Sequence, residues 1–245
     1  MRHFAYTFDW HYGGSDLSVK WVLLTSMNQS SFHKLDPIAT EETRQRYQRL
    51  SPIYDAMEGV AERRYRPWRE KLWSMVPGLR VLEVGVGTGK NIPYYPAGIS
   101  IMAIDLTPGM LRHAQDRMDI LKLQSKVEFR LCDVQQLDFP TAAFDSAVAT
   151  FVFCSVPDPV LGLRELKRVV KPGGYILLLE HMRSPNPALG TAMDFLNPVV
   201  VRMMGANINR RTVDNVRRAG LEIEQIENLG MGGIFKLIRA RVPVG

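Results

Sequence analysis

The stretch from Val81 to Gly89 constrains this chain more than any other part of its sequence. Its first four residues are apolar or β-branched apart from Glu83, which predicts a short strand buried in a parallel sheet. Three glycines follow at alternate positions: Gly85, Gly87 and Gly89. Glycine lacks a Cβ atom, so it adopts positive φ angles and lets a ligand approach the backbone. The pattern therefore predicts a strand that ends in a ligand-binding turn.

Two acidic residues indicate the charge of that ligand. Glu83 stands two residues before the first glycine, at the mouth of the predicted crevice, where a carboxylate would repel a pyrophosphate but suits an ammonium or sulfonium. Asp105 ends the next apolar run, at the spacing where a second-strand acid meets ribose hydroxyls. A dinucleotide fingerprint would need glycine where the chain has Lys90. A cationic nucleoside with free ribose hydroxyls is S-adenosylmethionine (SAM).

Apolar runs and helical patterns alternate regularly after this turn. Strands are predicted at residues 80–84, 101–105, 127–131, 144–150, 174–180, 221–227 and 234–240. Helices are predicted near residues 89–95, 108–122, 158–170 and 209–219, with a proline-containing insertion before the last of them. Such alternation is typical of an α/β fold, so we predict a Rossmann-like, doubly wound, mostly parallel sheet of seven strands.

Residues 78–182 resemble the class I SAM-dependent methyltransferases. The glycine turn is similar to their first motif, and Arg168 to Gly174 is similar to their turn before strand five. The resemblance implies an antiparallel C-terminal hairpin, an adenine site at Asp133 and Val134, and a sulfonium above Thr150 and Phe151. The predicted cofactor-binding residues are Glu83, Gly85, Gly87, Gly89, Asp105, Leu106, Asp133, Val134, Thr150 and Phe151. Alternatives of a different class are a nucleotide-dependent dehydrogenase and a non-catalytic SAM-binding domain.

Residues 37–77 predict a helical segment, with helices at 40–50, 53–57 and 65–75. Tyr47 to Asp55 resembles the entry segment of quinone C-methyltransferases and bacterial phospholipid N-methyltransferases, which implies a lid over the cofactor. The quinone enzymes' Asn-Asp pair is replaced here by Glu58-Gly59, and Glu180-His181 resembles alkyl-thiol methyltransferases. The predicted acceptor is therefore a phospholipid amine first, a quinone-type ring second and a small hydrophobic thiol third.

Two residues are candidates for the chemistry. A protonated amine must lose a proton before it can accept a methyl group, so a base or water chain is needed near pH 7. His181 at the end of strand five is the candidate base, although it could equally cap the strand or bond a backbone carbonyl. Tyr54 is expected to orient the acceptor or to pack in the lid. Cys132 and Cys154 lack metal-site spacing, so we expect no metal.

Charge and hydropathy bear on partners and location. The net charge of +6 is too modest to indicate nucleic acid. Basic residues concentrate at 44–71, and together with the apolar residues 193–204 they predict contact with an anionic membrane, with aromatics inward and arginines outward. The alternatives are core packing and solvated helix faces. No apolar run is long enough to span a bilayer, and the cysteine usage favours a cytoplasmic protein, soluble or membrane-associated.

The chain is predicted to have three parts. Residues 1–36 form an N-terminal extension without sustained periodicity, expected to be loosely ordered or, up to Met27, to belong to an over-long gene model. Residues 37–77 are the helical lid, and residues 78–245 are the methyltransferase domain.

Overall fold

A computed structural model describes residues 35–122 and 126–244. The predicted extension and the alternative start at Met27 therefore lie outside the described residues, apart from positions 35 and 36. The predicted lid segment and the sheet belong to one compact unit, residues 33–245.

A seven-stranded sheet forms the centre of this unit. Its strands are β1 (Arg80–Val84), β2 (Ser100–Asp105), β3 (Lys126–Leu131), β4 (Phe144–Thr150), β5 (Val170–His181), β6 (Glu222–Gly230) and β7 (Phe235–Arg241). The strand order is β3-β2-β1-β4-β5-β7-β6. The first five strands pair in parallel, whereas β7 pairs antiparallel with both β5 and β6. The predicted fold class and its antiparallel ending are confirmed.

Helices cover both faces of the sheet. They are α1 (Pro37–Leu50), α2 (Tyr54–Ser74), α3 (Pro108–Leu121), α4 (Pro159–Val169), α5 (Pro187–Met204) and α6 (Thr212–Arg218). One apolar core joins α4 and α6 to the sheet, and a second joins α2 and α3 to it. Val81 and Leu82 enter opposite cores because neighbouring side chains of a strand point to opposite faces. Burial on both faces explains why the central strands are almost wholly apolar.

The strand order fixes where a ligand can bind. The connection that leaves β1 runs to β2 on one side, whereas the connection that leaves the neighbouring β4 runs to β5 on the other side. Ligands of open α/β sheets bind at such a switch point, beyond the carboxyl ends of the strands. The crevice is therefore expected where Val84 and Thr150 end β1 and β4.

Three predicted elements differ from the structure. Residues 89–95 form a turn with a short 3₁₀ helix at Ile92–Tyr94, because the glycine turn occupies the space of a first helical turn. The predicted helices at 53–57 and 65–75 are one helix, α2, which continues through Pro67. The proline-containing insertion forms α5, which continues through Pro198. Among the described helices, none is both long and apolar enough to cross a membrane.

Candidate active site

An open cavity lies at the predicted switch point. Its walls come from the ends of β1, β2, β3 and β4, together with helices α1, α2 and α3. Among the predicted cofactor residues, the lining includes Gly85, Gly87, Asp105, Leu106, Asp133, Val134, Thr150 and Phe151. Tyr54 also lines it, whereas Glu83, Gly89 and His181 do not. The structure therefore brings most of the predicted residues together around one space.

The end of the cavity beneath β2 is shaped by Asp105. Its Oδ2 accepts a hydrogen bond from the backbone N–H of Gly87 at 2.9 Å, and its Oδ1 accepts one from Thr107 at 2.9 Å. Burial raises the pKa of Asp105 to about 6, against the lowering effect of these bonds. The carboxylate thus links the glycine turn to the start of α3 while facing the cavity.

The three glycines have different functions in the turn. All three have positive φ angles, which L-residues with a Cβ adopt only with strain. A Cβ on Gly85 would come within 2.5 Å of Val152, and one on Gly89 within 2.5 Å of Ile92. A Cβ on Gly87 would meet no atom closer than 3.9 Å and would extend into open space beside the cavity. Gly87 therefore leaves room for a ligand, whereas Gly85 and Gly89 allow close packing.

Asp133 lies at the end of β3 and faces the same cavity. Its carboxylate accepts from the backbone N–H of Gln135 at 2.9 Å and from the Gln135 side chain at 3.0 Å. Thr40 of α1 lies 3.4 Å from it, oxygen to oxygen. The first turn of α1 is thus held over the side of the cavity formed by Asp133 and Val134.

Glu83 is not where the sequence predicted it. Its side chain is fully buried and lies outside the cavity lining. Oε1 accepts from the Asn91 side-chain amide at 2.7 Å, and Oε2 accepts from the Tyr95 hydroxyl. Burial raises its pKa to about 7. The prediction that this carboxylate stands at the mouth of the crevice is wrong. Glu83 instead positions the Asn91 side chain, whose amide also donates a hydrogen bond to the Thr150 hydroxyl of the cavity wall at 3.1 Å.

The other end of the cavity is aromatic. Tyr47 of α1, Tyr54 of α2 and Phe151 of the β4 tip all line it, and the two tyrosine rings are 6.4 Å apart. The Tyr47 hydroxyl lies 2.6 Å from the hydroxyl of Ser155. Burial raises the pKa of both phenols well above the ordinary value, so both are neutral at pH 7. The Glu58 carboxylate is close enough to the Tyr54 phenol that its negative charge raises the pKa of that phenol further.

His181 lies behind this wall. Its ring stacks against Phe151 at 6.3 Å between ring centres and meets Phe235 at 6.4 Å. Burial lowers its pKa to about 4, so it is neutral at pH 7 but a weak base. Phe151 lines the cavity, whereas His181 does not. The structure therefore does not place the predicted base within reach of the cavity.

The turn that carries Phe151 is strained and strongly held. Phe151 has a φ of 57°, in the region that favours glycine. The fully buried Glu180 accepts hydrogen bonds from the backbone N–H groups of Val152 at 2.9 Å and Phe153 at 3.0 Å. Its second carboxylate oxygen has no hydrogen-bond partner among the described residues, and burial raises its pKa to about 7. Glu180 thus fixes the conformation of the residue that divides the cavity from His181.

Ion pairs join α2 to the glycine turn. Lys90 lies 2.9 Å from Glu58, 3.7 Å from Asp55 and 3.9 Å from Glu62, nitrogen to oxygen. The Thr88 hydroxyl donates to Asp55 at 2.6 Å. The polar side of α2 is therefore positioned by the same loop that carries the glycines.

Arg69 contradicts the expectation that the arginines of this segment point outward. Only 4% of its surface is exposed. Its guanidinium donates to both oxygens of Glu62, at 3.0 and 3.1 Å, and to the Asn91 side-chain oxygen at 2.9 Å. It also lies over the Phe151 ring, 5.5 Å from the ring centre. The buried charge is paired with Glu62, and it joins α2 to Asn91 and to the Phe151 ring of the cavity wall.

Several lining residues were not predicted from the sequence. They are Thr43, Tyr47, Thr107, Met110, Ser155, Val156 and Pro157, with others from the strand ends. Thr43 and Tyr47 are one helical turn apart in α1, so their spacing alone could have placed them on one face. The resemblance of residues 47–55 to a lid segment implied that this part of the chain covers the cofactor, but it did not identify Thr43 or Tyr47 as lining residues.

A nucleoside cofactor fits the residues of the β2–β3 end. Asp105 presents a carboxylate at the cavity wall, Gly87 leaves space beside the turn, and Leu106 and Val134 provide apolar surface for a flat ring. Together with the strand order, these features define a Rossmann-like, nucleoside-binding α/β enzyme.

Comparison with known proteins identifies the group within that class. Residues 82–178 match the family model described as a methyltransferase domain. The chain is 32% identical over 165 residues to a phosphatidylethanolamine N-methyltransferase of Cereibacter sphaeroides, covering 66% of this chain and 79% of that protein. The chain belongs to the SAM-dependent methyltransferases, and SAM is its cofactor. The predicted class is confirmed, and the dehydrogenase and non-catalytic alternatives are set aside.

Two further similarities extend the comparison. The chain is 29% identical over 160 residues to the ubiquinone/menaquinone biosynthesis C-methyltransferase UbiE of Teredinibacter turnerae, covering 64% of each protein. A SAM-dependent methyltransferase of Thermotoga maritima superposes with a TM-score of 0.62 at 22% identity, covering 82% of this chain and 99% of that one. The structural similarity supports the fold alone, and the sequence similarities include two chemically different acceptors.

Proposed function

We propose that this enzyme methylates the amine of a phospholipid headgroup, with phosphatidylethanolamine as the acceptor. Support comes from the Cereibacter relative and from the chemistry of the aromatic end of the cavity. When bound, SAM supplies the methyl group. We propose that Asp105 holds the ribose, Asp133 and Val134 hold the adenine, and the turn at Gly85 and Gly87 carries the methionine part.

The observation that carries the proposal is the Tyr54–Glu58 pair beside the aromatic wall. Aromatic faces and a carboxylate attract an ammonium group, whereas a carboxylate repels the anion that a quinone precursor forms when it loses its proton. The single positive charge of Lys90 lies near three carboxylates, those of Glu58, Asp55 and Glu62, so it is shared among them and does not neutralise Glu58 alone. The acceptor end therefore suits a cationic amine.

The same pair can remove the proton that blocks methylation. The amine N–H proton passes to the Tyr54 oxygen while the phenol proton passes to the Glu58 carboxylate. Tyr54 is then neutral before and after the transfer, as its raised pKa requires. The free nitrogen lone pair is left facing the cofactor end of the cavity. His181 remains the second candidate base, and it reaches an acceptor only if the Phe151 ring moves.

Quinone-ring C-methylation is the second candidate function. It rests on the similarity to UbiE and on the aromatic lining, which suits a flat ring. The third candidate function, S-methylation of a small hydrophobic thiol, was suggested by the Glu180-His181 pair, and the positions of these two residues do not support it. Glu180 holds a backbone turn, and His181 does not line the cavity.

A direct assay distinguishes these functions. Purified enzyme is given SAM with a labelled methyl group and, in separate reactions, phosphatidylethanolamine, its monomethyl derivative, a demethylmenaquinol and an alkyl thiol, each in the same detergent micelles. We expect label in the ethanolamine lipids and only background in the other two. Turnover of the quinol alone would replace this proposal with the second candidate, and turnover of the thiol alone with the third.

We propose that the enzyme acts in the cytoplasm on lipid held in an anionic membrane. The net charge of +6 and the exposed Arg49, Arg63 and Arg66 favour such a surface. No nucleic acid and no metal is part of the proposal. Among the described residues, no group of histidine, cysteine, aspartate and glutamate is arranged to bind a metal ion.

A further inference from the structure

Helix α5 carries an exposed apolar surface that the fold leaves uncovered. Phe195, Val199 and Met203 follow one another at four-residue spacing and are 83%, 57% and 71% exposed. Leu196 and Met204 beside them are each 50% exposed. We call these five residues the α5 apolar face. A helix of a monomeric soluble domain normally turns such a face toward its core, so this face is available to a partner outside the described residues.

The face lies at the same end of the sheet as the cavity. Helix α5 starts six residues after β5, whose carboxyl end lies at the cavity edge. At its other end, Gly205 caps the helix beside α1, where an added Cβ would come 2.7 Å from Arg46 and 3.4 Å from Tyr47. Tyr47 lines the cavity. The loop after α5 also donates from the Asn207 backbone to the carbonyl of Cys154 at 2.9 Å, next to Ser155 of the cavity wall.

The charges around the face are basic. Arg202 is exposed on α5, and Arg46 lies beside its C-cap; neither forms an ion pair within the described residues. The one acidic residue of α5 is Asp194, which accepts from Arg183 at 2.9 Å. Apolar side chains with a basic and unopposed rim match the interface of an anionic lipid bilayer.

We infer that the α5 apolar face docks on an anionic membrane and brings the Tyr47 side of the cavity to the lipid headgroups. The inference rests on the proposed lipid acceptor for its purpose, but the docking itself is a separate physical property. Phe195, Val199 and Met203 enter the headgroup–acyl boundary, while Arg46 and Arg202 contact lipid phosphates.

Vesicle flotation tests this surface with matched variants. The test variant is Val199→Ser with Met203→Ser. The control is Leu79→Ser with Val244→Ser, two positions that are each 67% exposed and lie next to the opposite strand ends. With vesicles containing 30% phosphatidylglycerol, we expect the wild type and the control to bind and the test variant to bind at least tenfold more weakly. With pure phosphatidylcholine vesicles, we expect little binding by any of them.

A charge variant and the oligomeric state complete the test. Arg46→Glu with Arg202→Glu should lose binding to the anionic vesicles. Equal binding by the test and control variants would overturn the inference. So would a wild-type dimer that becomes a monomer on Val199→Ser and Met203→Ser, because the face would then be an interface between copies. Light scattering after gel filtration measures that state directly.

Activity on a dispersed acceptor separates docking from the proposed function. With short-chain phosphatidylethanolamine below its micelle concentration, the test variant should retain wild-type turnover while losing turnover on vesicles. Loss of both would show that the substitutions damage the site, which contradicts the inference. A wild type that binds anionic vesicles but methylates no ethanolamine lipid would refute the proposed acceptor and leave the docking surface standing.

Discussion

The two ends of the cavity are built from different parts of the chain. At the β2–β3 end, which we propose binds the cofactor and call the cofactor end, backbone turns and strand-end carboxylates of the sheet form the wall. Asp105 there is bonded to the backbone of Gly87 and Thr107. At the aromatic end, which we propose binds the acceptor and call the acceptor end, side chains of α1 and α2 form the wall. Tyr47 and Tyr54 are the main ones. The first wall depends on strand register, whereas the second depends on how two helices pack across it.

This difference separates what is general from what is specific. Any ligand of the cofactor end meets groups that a parallel sheet places at one edge by its geometry. The acceptor end changes with each residue of α1 and α2 that faces inward, without altering the sheet. We therefore expect substitutions at the two ends to affect different measurements, SAM affinity at one and turnover at the other.

The largest effect is expected at Gly87. Substitution Gly87→Ala places a methyl group in the space beside the cavity, and we expect SAM binding to weaken roughly 100-fold, a loss of about 3 kcal/mol. Gly98→Ala is the matched control, because Gly98 also has a positive φ, 79°, and open space around it, but lies outside the cavity lining. Both variants should lose about 1–2 kcal/mol of stability. Equal SAM affinity in the two variants, measured by calorimetry, would remove Gly87 from the binding surface.

A smaller loss is expected at Asp105. Substitution Asp105→Asn removes a charged acceptor, which should weaken SAM binding by about 10- to 100-fold, the value of one charge-assisted hydrogen bond. Burial raises the pKa of Asp105 to about 6, so in the ligand-free protein this carboxylate, which we propose binds the ribose, becomes protonated as the pH falls through 6. Wild-type affinity should therefore decline below pH 6, while that of Asp105→Asn stays flat. The control variant Asp119→Asn, at an exposed position on α3, should show the same SAM affinity as the wild type at each pH. If the SAM affinity of Asp105→Asn declined below pH 6 as much as that of the wild type, another group would be responsible for the pH dependence.

The same contrast explains which features could be predicted from the sequence. The positions of glycines and acidic residues at strand ends can be predicted from the sequence, because each strand and its turn are adjacent in the chain. Parallel strands also bring their carboxyl ends to one edge of the sheet. That reasoning located Gly87, Asp105, Asp133 and Thr150 correctly beside one cavity. Their individual roles as ligands stay predictions.

Features that depend on distant contacts could not be predicted. The helix α2 continues through Pro67, in a segment where Glu62 pairs with Lys90 of the glycine turn, a contact between residues remote in sequence. Glu83 has the expected position in its motif, but Asn91 and Tyr95 enclose it. No periodicity encodes such enclosure, because it depends on which loop folds back over the strand.

At the acceptor end, a moderate effect on turnover is expected. Tyr54→Phe and Glu58→Gln each break the proposed proton relay, and we expect kcat to fall about 100-fold, the low end of the usual contribution of a positioned acid–base group, with SAM affinity within about twofold of wild type. His181→Asn is the comparison and should retain most activity, because His181 does not line the cavity. Full kcat-against-pH profiles with an ethanolamine lipid measure this. A loss in His181→Asn that exceeds the loss in Tyr54→Phe would make His181 the base and require movement of Phe151.

The smallest effect is expected at Glu83, where a test separates a structural from a ligand-binding carboxylate. Its folded pKa of about 7 lies above the unfolded value, so the stability it contributes is complete below about pH 4.5 and is lost as the pH rises toward 7. Glu83→Gln can bond Asn91 and Tyr95 without a charge, so at pH 8 it should equal or exceed the wild type by about 1–2 kcal/mol in free energy of unfolding. At pH 5 the two should agree, and SAM affinity should change less than threefold.

Glu180→Gln provides the contrast for this last test, because Glu180 is equally buried and its pKa is also raised to about 7. Its free oxygen has no hydrogen-bond partner among the described residues, so an amide nitrogen there would be buried and unsatisfied, at a cost of about 1–3 kcal/mol. Urea unfolding at pH 8 should therefore show Glu83→Gln to be the more stable of the two variants, because both lose a buried charge but only Glu180→Gln gains an unsatisfied amide nitrogen. If Glu83→Gln instead keeps its stability and weakens SAM binding about tenfold, the carboxylate acts on the cofactor despite its burial. The cofactor site would then include a residue that lies behind the cavity wall.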